Sequence, residues 1–361
     1  MNRTLTLGLA LAALLAAAPA SAQWQISSPD GASKLTLGVL AQLQAEEFQP
    51  IGTEDWQQNL FARRFRIVIG GKVNDRVSLF ADTDMPNLGK GVTSGAAVGN
   101  KVDNLMLLQD LVLTYTVRSE FKVDAGMLLV PASHNGLQSA ASHLALDYGP
   151  WSFLQSDSTR SKVGRDYGVL ARGYLGDRHV EYRLGVLQGA RGADARRPFR
   201  SAYRIAYYPF DADTGLFYTG TTLGKRRLWS VGFGGDHQLD YNTWSADVFV
   251  DQPIPGGDGV TFQADFTRYD GGVTFPALAR QDVLLFEAGY YFHKAKVSPF
   301  VQYSVRDFDL ASSKDETKLV AGLAYWDSGH KFNLKAAYAV LGRDGATDGK
   351  QAVLQAQLFA F

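Results

Sequence analysis

Three arginines, Arg63, Arg64 and Arg66, stand close together in the otherwise apolar stretch FARRFRIVIGGKV. A guanidinium is permanently charged and offers several N–H donors in one plane, so arginine rows suit phosphate and carboxylate oxygens. Four more arginines lie in segments where apolar and polar residues alternate: Arg172, Arg183, Arg200 and Arg204. The chemistry that these residues could do is the reversible binding of small anions.

The stretch that holds the first three arginines has the composition of a β-strand. Val, Ile and Phe favour strands, and a strand sends successive side chains to opposite faces. Arg64 and Arg66 therefore share one face, whereas the other face carries Phe61, Arg63, Phe65, Ile67 and Ile69. We expect the arginine face to meet water and the aromatic face to meet an apolar environment.

Period-two alternation recurs along the whole chain, and no segment shows sustained helical spacing. The alternation predicts an all-β protein with about sixteen strands. Eighteen are possible if residues 214–223 hide a further strand. The predicted segments are 34–48, 59–73, 76–84, 105–118, 121–130, 165–175, 179–189, 198–208, 227–238, 241–250, 260–269, 282–292, 296–306, 317–327, 330–341 and 351–361.

The connections between these segments are alternately short and long, which is typical of a transmembrane antiparallel β-barrel with tight turns on one rim and long loops on the other. Two connections depart from the pattern, because 209–226 and 252–259 fall on the short-turn rim without being short. The pair Leu239-Asp240 departs in the opposite sense, as a tight turn on the long-loop rim.

The N-terminus predicts export. Residues 1–22 combine Arg3, an apolar run and the small-residue site Ala20-Ser21-Ala22, which is the layout of a signal peptide cleaved after Ala22. An uncleaved membrane anchor is the alternative. Residues 23–361 would then form one barrel domain, with 35 basic and 36 acidic residues and no cysteine. Nothing in this balance suggests nucleic-acid binding.

An exported β-barrel belongs in the outer membrane of a Gram-negative bacterium, in contact with its lipid and lipopolysaccharide. The closing segment LQAQLFAF ends in Phe361, and a terminal phenylalanine resembles the assembly signal of bacterial outer-membrane proteins. A soluble β-sandwich is the alternative explanation of the same alternation. In the barrel, Arg63 would lie on the lipid side, near the outer headgroups or at a protomer contact, because an arginine at the bilayer midplane costs roughly 2–4 kcal/mol.

The six remaining arginines fall on the lumen face of the predicted barrel. Rings or rows of arginine select anions in a pore, so these residues are the candidate anion path. The alternative is that they pair with carboxylates on neighbouring strands. The candidates are Arg64, Arg66, Arg172, Arg183, Arg200 and Arg204.

Several motifs resemble the phosphate-selective porin O and P family. They are FARRFRIVIGGKVNDRVSLFADTDM, VDAGMLLVPASHNGLQ, GRDYGVLARGYL, YRLGVLQGA and YTGTTLGKRRLWSVGFG. The resemblance implies a homotrimer of sixteen-stranded barrels, an inward-folded third loop and an arginine-rich anion path, to which Arg64 and Arg66 fit best. The third-loop region, 131–164, departs from the family pattern: Leu128-Leu129-Val130-Pro131 stands where the family has a strand end with lysine and phenylalanine.

The sequence as a whole predicts a passive outer-membrane porin for small hydrophilic solutes, leaning towards anions such as phosphate. Residues 131–164 form its longest connection, and their apolar side chains favour folding into the lumen. No catalytic, cofactor or metal motif is found. Ser133-His134-Asn135 leaves a barrel hydrolase as a minor alternative, and a structural or adhesive barrel without an open pore is another.

Overall fold

A computed structural model describes residues 24–93, 98–103 and 105–361. The predicted signal peptide, residues 1–22, lies outside the described residues. Nearly all regular structure in the described part is strand, as the alternation predicts. The seventeen strands of this part are β1 Trp24–Ser27, β2 Lys34–Gln49, β3 Gln57–Lys72, β4 Val77–Asp84, β5 Leu107–Arg118, β6 Phe121–Leu129, β7 Arg165–Leu175, β8 Val180–Leu187, β9 Arg200–Tyr207, β10 Leu228–Gln238, β11 Tyr241–Pro253, β12 Gly259–Asp270, β13 Gln281–Tyr291, β14 Val297–Phe308, β15 Glu316–Tyr325, β16 Phe332–Arg343 and β17 Gly349–Ala360.

The strands β2 to β17 form a closed antiparallel barrel. Each pairs with its neighbour in the chain, and β17 closes the ring on β2 from Val39 to Gln49. The short β1 pairs with β2 at Lys34–Leu37, beyond the end of β17. The sixteen barrel strands coincide with the sixteen predicted segments, and the described residues between β9 and β10 add no further strand. The all-β, sixteen-strand prediction is therefore confirmed over the alternative of eighteen.

The two rims differ as the sequence indicates. Both ends of the sheet and most tight turns lie on one rim, called here the turn rim, and the longer loops lie on the other, the loop rim. The β11–β12 connection proves short, at 254–258, because both strands extend further than predicted. Residues 208–227, between β9 and β10, are a long insertion on the turn rim. Leu239-Asp240 is the expected tight turn on the loop rim.

The outer and inner faces of the barrel have opposite chemistry. Exposed aliphatic and aromatic side chains point outward on most strands, among them Ile67, Leu113, Val169, Leu184, Ile205, Val231, Phe262, Phe286, Val301, Leu319 and Tyr338. Such a belt is stable in hydrocarbon and costly in water, and a closed sheet satisfies its backbone hydrogen bonds internally. No helix among the described residues is long and apolar enough to cross a membrane.

A β-bulge in β3 corrects the predicted faces of two residues. Gln42 of β2 pairs with Arg64, but the next residue, Leu43, pairs with Ala62, so Arg63 is an extra residue without a partner across the ladder. The bulge reverses the alternation on its loop-rim side. Phe61 is buried towards the lumen instead of facing lipid. Arg63 likewise reaches the lumen, where its Nε donates to Asp147 over 2.8 Å, so its placement on the lipid side was wrong.

The third loop folds into the barrel as predicted. This pore loop, residues 130–164, contains two short helices, α1 His134–Leu137 and α2 Gln155–Ser158. The barrel wall holds its backbone: Gln42 Nε2 donates to the Ala140 carbonyl over 3.0 Å, and Lys335 Nζ donates to two of its carbonyls at 2.6 and 2.7 Å. These inward bonds fix the loop across the lumen.

The terminal Phe361 lies against the inner wall at the turn rim. A Cβ added at Gly38 or at Gly70 would come within 2.8 Å or 2.7 Å, respectively, of a Phe361 side-chain carbon. The Phe361 ring therefore packs on two positions where any side chain larger than hydrogen would clash with it. The ring also meets Phe80 edge-on, with the centroids 6.1 Å apart. The chain end is therefore part of the mouth of the lumen.

Candidate functional site: the lumen

All six predicted arginines lie on the inner face of the barrel, and each is almost fully buried and paired with a carboxylate. The guanidinium nitrogens approach the carboxylate oxygens to between 2.5 and 3.2 Å. The pairs are Arg64–Asp147, Arg66–Asp82 and Asp84, Arg172–Asp124, Arg183–Glu181, Arg200–Asp166 and Asp236, and Arg204–Asp247.

Pairing changes what these arginines can do for a passing ion. A buried guanidinium needs a partner, since an uncompensated charge in a low-dielectric site is costly. Arg66 and Arg200 face two carboxylates each, so their surroundings carry more negative than positive charge. The predicted role of the six in anion selectivity stays a prediction, and their local charge balance differs from one to the next.

Arg64 is the exception among the six, because it shares its carboxylate with a second guanidinium. Asp147, in the pore loop, receives Arg64 Nη2 at 2.5 Å and Arg63 Nη2 at 2.6 Å. Burial alone would raise the pKa of Asp147, but the two arginines outweigh it and hold that pKa well below its usual range. One ionised carboxylate therefore faces two cations, and Arg63 remains about a quarter exposed, at 26%.

Two lysines extend this positive region. Lys90 Nζ lies 2.7 Å from Glu46 and 4.7 Å from the centre of the inward Phe61 ring. Lys318 of β15 faces the same space beside Asp147 and interacts electrostatically with Arg63, Lys90 and Glu46. We call this group the cationic patch. It contains four cations and two carboxylates: Arg63, Arg64, Lys90, Lys318, Asp147 and Glu46.

A second group of arginines, here the arginine cluster, lies on the inner wall of β8, β9 and β11. Arg204 forms a bidentate salt bridge with Asp247, in which both N–O distances are 2.7 Å. Arg183 donates to Glu181 over 2.7 Å. The Tyr218 hydroxyl joins the two pairs, since it donates to Glu181 over 2.6 Å and accepts from Arg204 over 3.1 Å. Every charge in the cluster has an opposite charge beside it.

The residues of the hydrolase alternative have structural roles in the pore loop. Ser133 caps α1, and its hydroxyl accepts from the Gly136 amide over 3.1 Å. The His134 ring stacks between Phe249 and Tyr218, with centroids 4.0 and 4.9 Å away. Burial in this stack lowers the pKa of His134 to about 4, which keeps the ring neutral near pH 7. The geometry fits packing of the loop and not proton transfer.

Sequence reasoning missed Arg63 and Asp147 as lumen residues. The bulge that turns Arg63 inward depends on the register between β2 and β3, which no pattern within β3 reveals. Asp147 stands 83 residues from Arg64, in a loop without periodicity. Asp147 is the one acidic residue in the otherwise mostly neutral stretch 133–151, and its position in the loop that follows an arginine-rich region was the available signal.

A family model described as "Phosphate-selective porin O and P" matches residues 35–340, which is most of the chain and nearly the whole barrel. The chain belongs to this porin family. Because it belongs to this family, the protein is a diffusion channel of the bacterial outer membrane and not an enzyme. No curated protein sequence is similar enough to match.

Solved structures similar to this porin include three bacterial outer-membrane proteins. OmpF of Salmonella typhi, in complex with daunomycin, has a TM-score of 0.60 at 14% identity, covering 93% of this chain and 100% of that chain. An anion-selective porin from Comamonas acidovorans has a TM-score of 0.57 at 12% identity, and the match covers 90% of this chain and 100% of that chain. OmpT of Vibrio cholerae, in a trimer form, has a TM-score of 0.55 at 12% identity, and the match covers 90% of this chain and 99% of that chain. At these identities the likeness shows the shared barrel fold.

Proposed function

We propose that this porin prefers small anions, such as phosphate, and that the cationic patch sets the preference. The observation that supports the proposal most directly is the sharing of Asp147 by Arg63 and Arg64 on the pore loop. Two guanidiniums against one carboxylate leave positive charge where the loop narrows the lumen. A guanidinium can also exchange its carboxylate oxygen for a phosphate oxygen of similar geometry.

The remaining five predicted arginines would contribute less to this preference. Arg172, Arg183 and Arg204 are matched by carboxylates, and Arg66 and Arg200 are outnumbered. The fields of the matched pairs cancel over short distances, and the two outnumbered arginines sit in net negative surroundings, so the excess positive charge that a permeating anion meets is that of the cationic patch. We therefore assign the anion preference to Arg64 and its neighbours in the cationic patch, and not to all six predicted arginines.

The assembly is proposed to be a homotrimer in a lipid and lipopolysaccharide membrane. The exposed apolar belt supports contact with lipid, and the family resemblance supports three copies. One similar structure, OmpT of Vibrio cholerae, is described in a trimer form. Export through cleavage after Ala22, leaving residues 23–361 as the mature barrel, is part of the same proposal.

The test is the reversal potential of single channels in a planar bilayer under a chloride gradient. The parent is expected to prefer chloride, and the double variant Arg63→Gln/Arg64→Gln is expected to lose most of that preference. At about 4 Å each removed charge is worth near 1 kcal/mol in water and more in a narrow pore.

The control is Arg196→Gln, which removes one positive charge from an exposed loop. The Arg196 side chain is 85% exposed, so this variant should keep the parent's reversal potential. A parent that prefers cations, or a double variant with the parent's selectivity, would disprove the assignment to the cationic patch.

A further inference from the structure

The long insertion on the turn rim, residues 208–227, does not stay at that rim. The Phe217 ring meets the ring of Phe80, on β4, with the centroids 5.1 Å apart. The Thr221 hydroxyl lies 2.9 Å from the hydroxyl of Thr261, on β12. Since β4 and β12 are eight strands apart in a ring of sixteen, these contacts lie on opposite walls. The insertion, called here the turn-rim insert, therefore crosses the lumen.

The turn-rim insert is bonded to the pore loop through backbone. The Tyr218 amide donates to the Leu137 carbonyl, and the Ser139 amide donates to the Tyr218 carbonyl, both over 2.8 Å. Gln138 and Tyr218 form a parallel bridge. The Gly220 amide adds a third bond, to the Ser142 hydroxyl over 3.0 Å. Two segments that start at opposite rims thus meet through an isolated β-bridge inside the barrel.

The side chain of Tyr218 fastens this junction to the wall. Its ring is fully buried, and the guanidiniums of Arg183 and Arg204 lie 4.8 and 5.3 Å from its centre. Arg183 Nη1 also donates to the Leu216 carbonyl over 3.1 Å. The arginine cluster therefore anchors the turn-rim insert, a task for which matched charges and full burial are suited.

The neighbouring Phe217 reaches a different part of the lumen. Its ring meets Phe80 of β4 edge-on at 5.1 Å, and Phe80 in turn contacts Phe361 at the end of the chain. Phe217 lines a cavity of about 120 Å³ together with Arg66 and Tyr148 of the pore loop. Unlike Tyr218, the ring is only half-buried, so it borders open space.

We propose that the turn-rim insert is the second half of the constriction, and that the pore loop and the insert together fix the size of the pore. The insert occupies lumen volume on the turn-rim side of the pore loop and holds that loop in place through Tyr218. This goes beyond the anion preference, because it concerns the pore cross-section and would hold for a channel of either selectivity.

The decisive variant replaces residues 212–226 with Asn-Gly. The Asp211 amide donates to the Arg227 carbonyl over 3.0 Å, so the two ends already lie side by side and a two-residue turn can close them. Single-channel conductance in symmetric salt is expected to rise on the order of twofold or more, because lumen cross-section limits ion flow. Replacing residues 310–314, in an exposed loop, with Asn-Gly is the control and should leave conductance unchanged.

A second measurement covers the case in which the shortened variant does not fold. The chain has no cysteine, so Phe217→Cys would provide a single thiol. A charged thiol reagent is expected to reduce the conductance of this variant, whereas the same reagent should leave a Val273→Cys channel, labelled at an 88% exposed loop position, unaffected.

Two outcomes would overturn the proposal: a folded 212–226 replacement with the parent's conductance, or a fully labelled Phe217→Cys channel with unchanged current. Both readouts use symmetric salt. If these two conductance experiments disproved the constriction, the anion preference of the cationic patch could still be tested by the reversal potential. If the reversal potential disproved the anion preference, the constriction formed by the turn-rim insert would be unaffected.

Discussion

Both the cationic patch and the arginine cluster are built from arginines, but the arginines have different roles in the two regions. In the patch, Arg63 and Arg64 share a single carboxylate on a loop, and one of them stays in contact with the lumen. In the cluster, Arg183 and Arg204 each have their own carboxylate and both are buried. The first arrangement leaves charge available to a solute. The second satisfies charge completely and can only hold structure in place.

What separates the two regions is the number of partners and not the number of arginines. A guanidinium with a matched, buried carboxylate is closed off from the water of the lumen, and its field is cancelled nearby. A guanidinium that shares a partner keeps donors that a phosphate could use. An arginine count along the lumen face therefore overstates the positive field, and three experiments would break or sharpen this comparison.

The largest effect is expected from Arg204→Gln in the arginine cluster. The variant leaves Asp247, whose side chain is fully buried, without its cation, which costs about 3–5 kcal/mol. The melting temperature of the folded barrel, followed by its heat-dependent gel mobility, should fall clearly. Arg343→Gln, which removes a half-exposed partner of Glu316, is the matched control and should change stability by less than about 1 kcal/mol.

The double variant Arg204→Gln/Asp247→Asn separates the lost pair from other causes. Removing the carboxylate charge as well should restore part of the stability, because no unpaired ion remains. If Arg204→Gln melted with the parent, the cluster would not have the anchoring role described here.

A smaller effect is expected from Asp147→Asn in the cationic patch. The variant removes the carboxylate that Arg63 and Arg64 share, so the reversal potential should move further towards anions. Because the two arginines hold the pKa of Asp147 well below its usual range, the parent carboxylate stays ionised as the pH falls. The difference between parent and variant should therefore persist from pH 7 to about pH 5, where an ordinary aspartate is still mostly ionised as well.

Lowering the pH further distinguishes a depressed pKa from an ordinary one. An ordinary aspartate is about half-protonated near pH 4, so a parent with an ordinary pKa at Asp147 would lose about half of its difference from the Asn variant there. A depressed pKa predicts that the difference survives at about pH 3.5. Asp103→Asn, on an exposed loop, is the control. Loss of about half of the difference between the parent and Asp147→Asn by about pH 4 would contradict the tight sharing of this carboxylate.

The smallest effect is expected from salt. Raising ionic strength from about 0.1 M to 1 M shortens the Debye length from about 10 Å to 3 Å, which should weaken the anion preference set by the partly exposed patch. The stability loss caused by Arg204→Gln should hardly change, because water and ions do not reach the buried cluster. Equal salt sensitivity of both quantities would remove the distinction between the two regions.

The barrel was largely readable from the sequence. Segment 105–118 became β5 at Leu107–Arg118, and segment 179–189 became β8 at Val180–Leu187. Lipid on one side and polar side chains on the other impose a period of two on every strand, so local sequence is sufficient to recognise it. The inward course of the pore loop followed from its length and its apolar residues.

The charge balance of the site was not readable in the same way. Each partner of a lumen arginine is chosen by register or by loop conformation, and Asp147 and Tyr218 both come from irregular segments. The position of Arg63 depended on one unpaired residue in the β2–β3 ladder. Sequence periodicity gives the face on which a strand residue lies, whereas the number of its partners is a property of the closed barrel.

The bulge at Arg63 has a genetic consequence. Within the paired stretch of the two strands, Arg63 is the one extra residue on β3, so the pairs Gln42–Arg64 and Leu43–Ala62 on either side would become consecutive rungs if it were absent. An in-frame deletion of this one codon should therefore leave the sixteen-strand ring and the inward Phe61 intact while taking one positive charge out of the lumen. The electrostatics of this pore can thus evolve through the loss or gain of a bulge residue, encoded by a single codon, without any amino acid being exchanged for another.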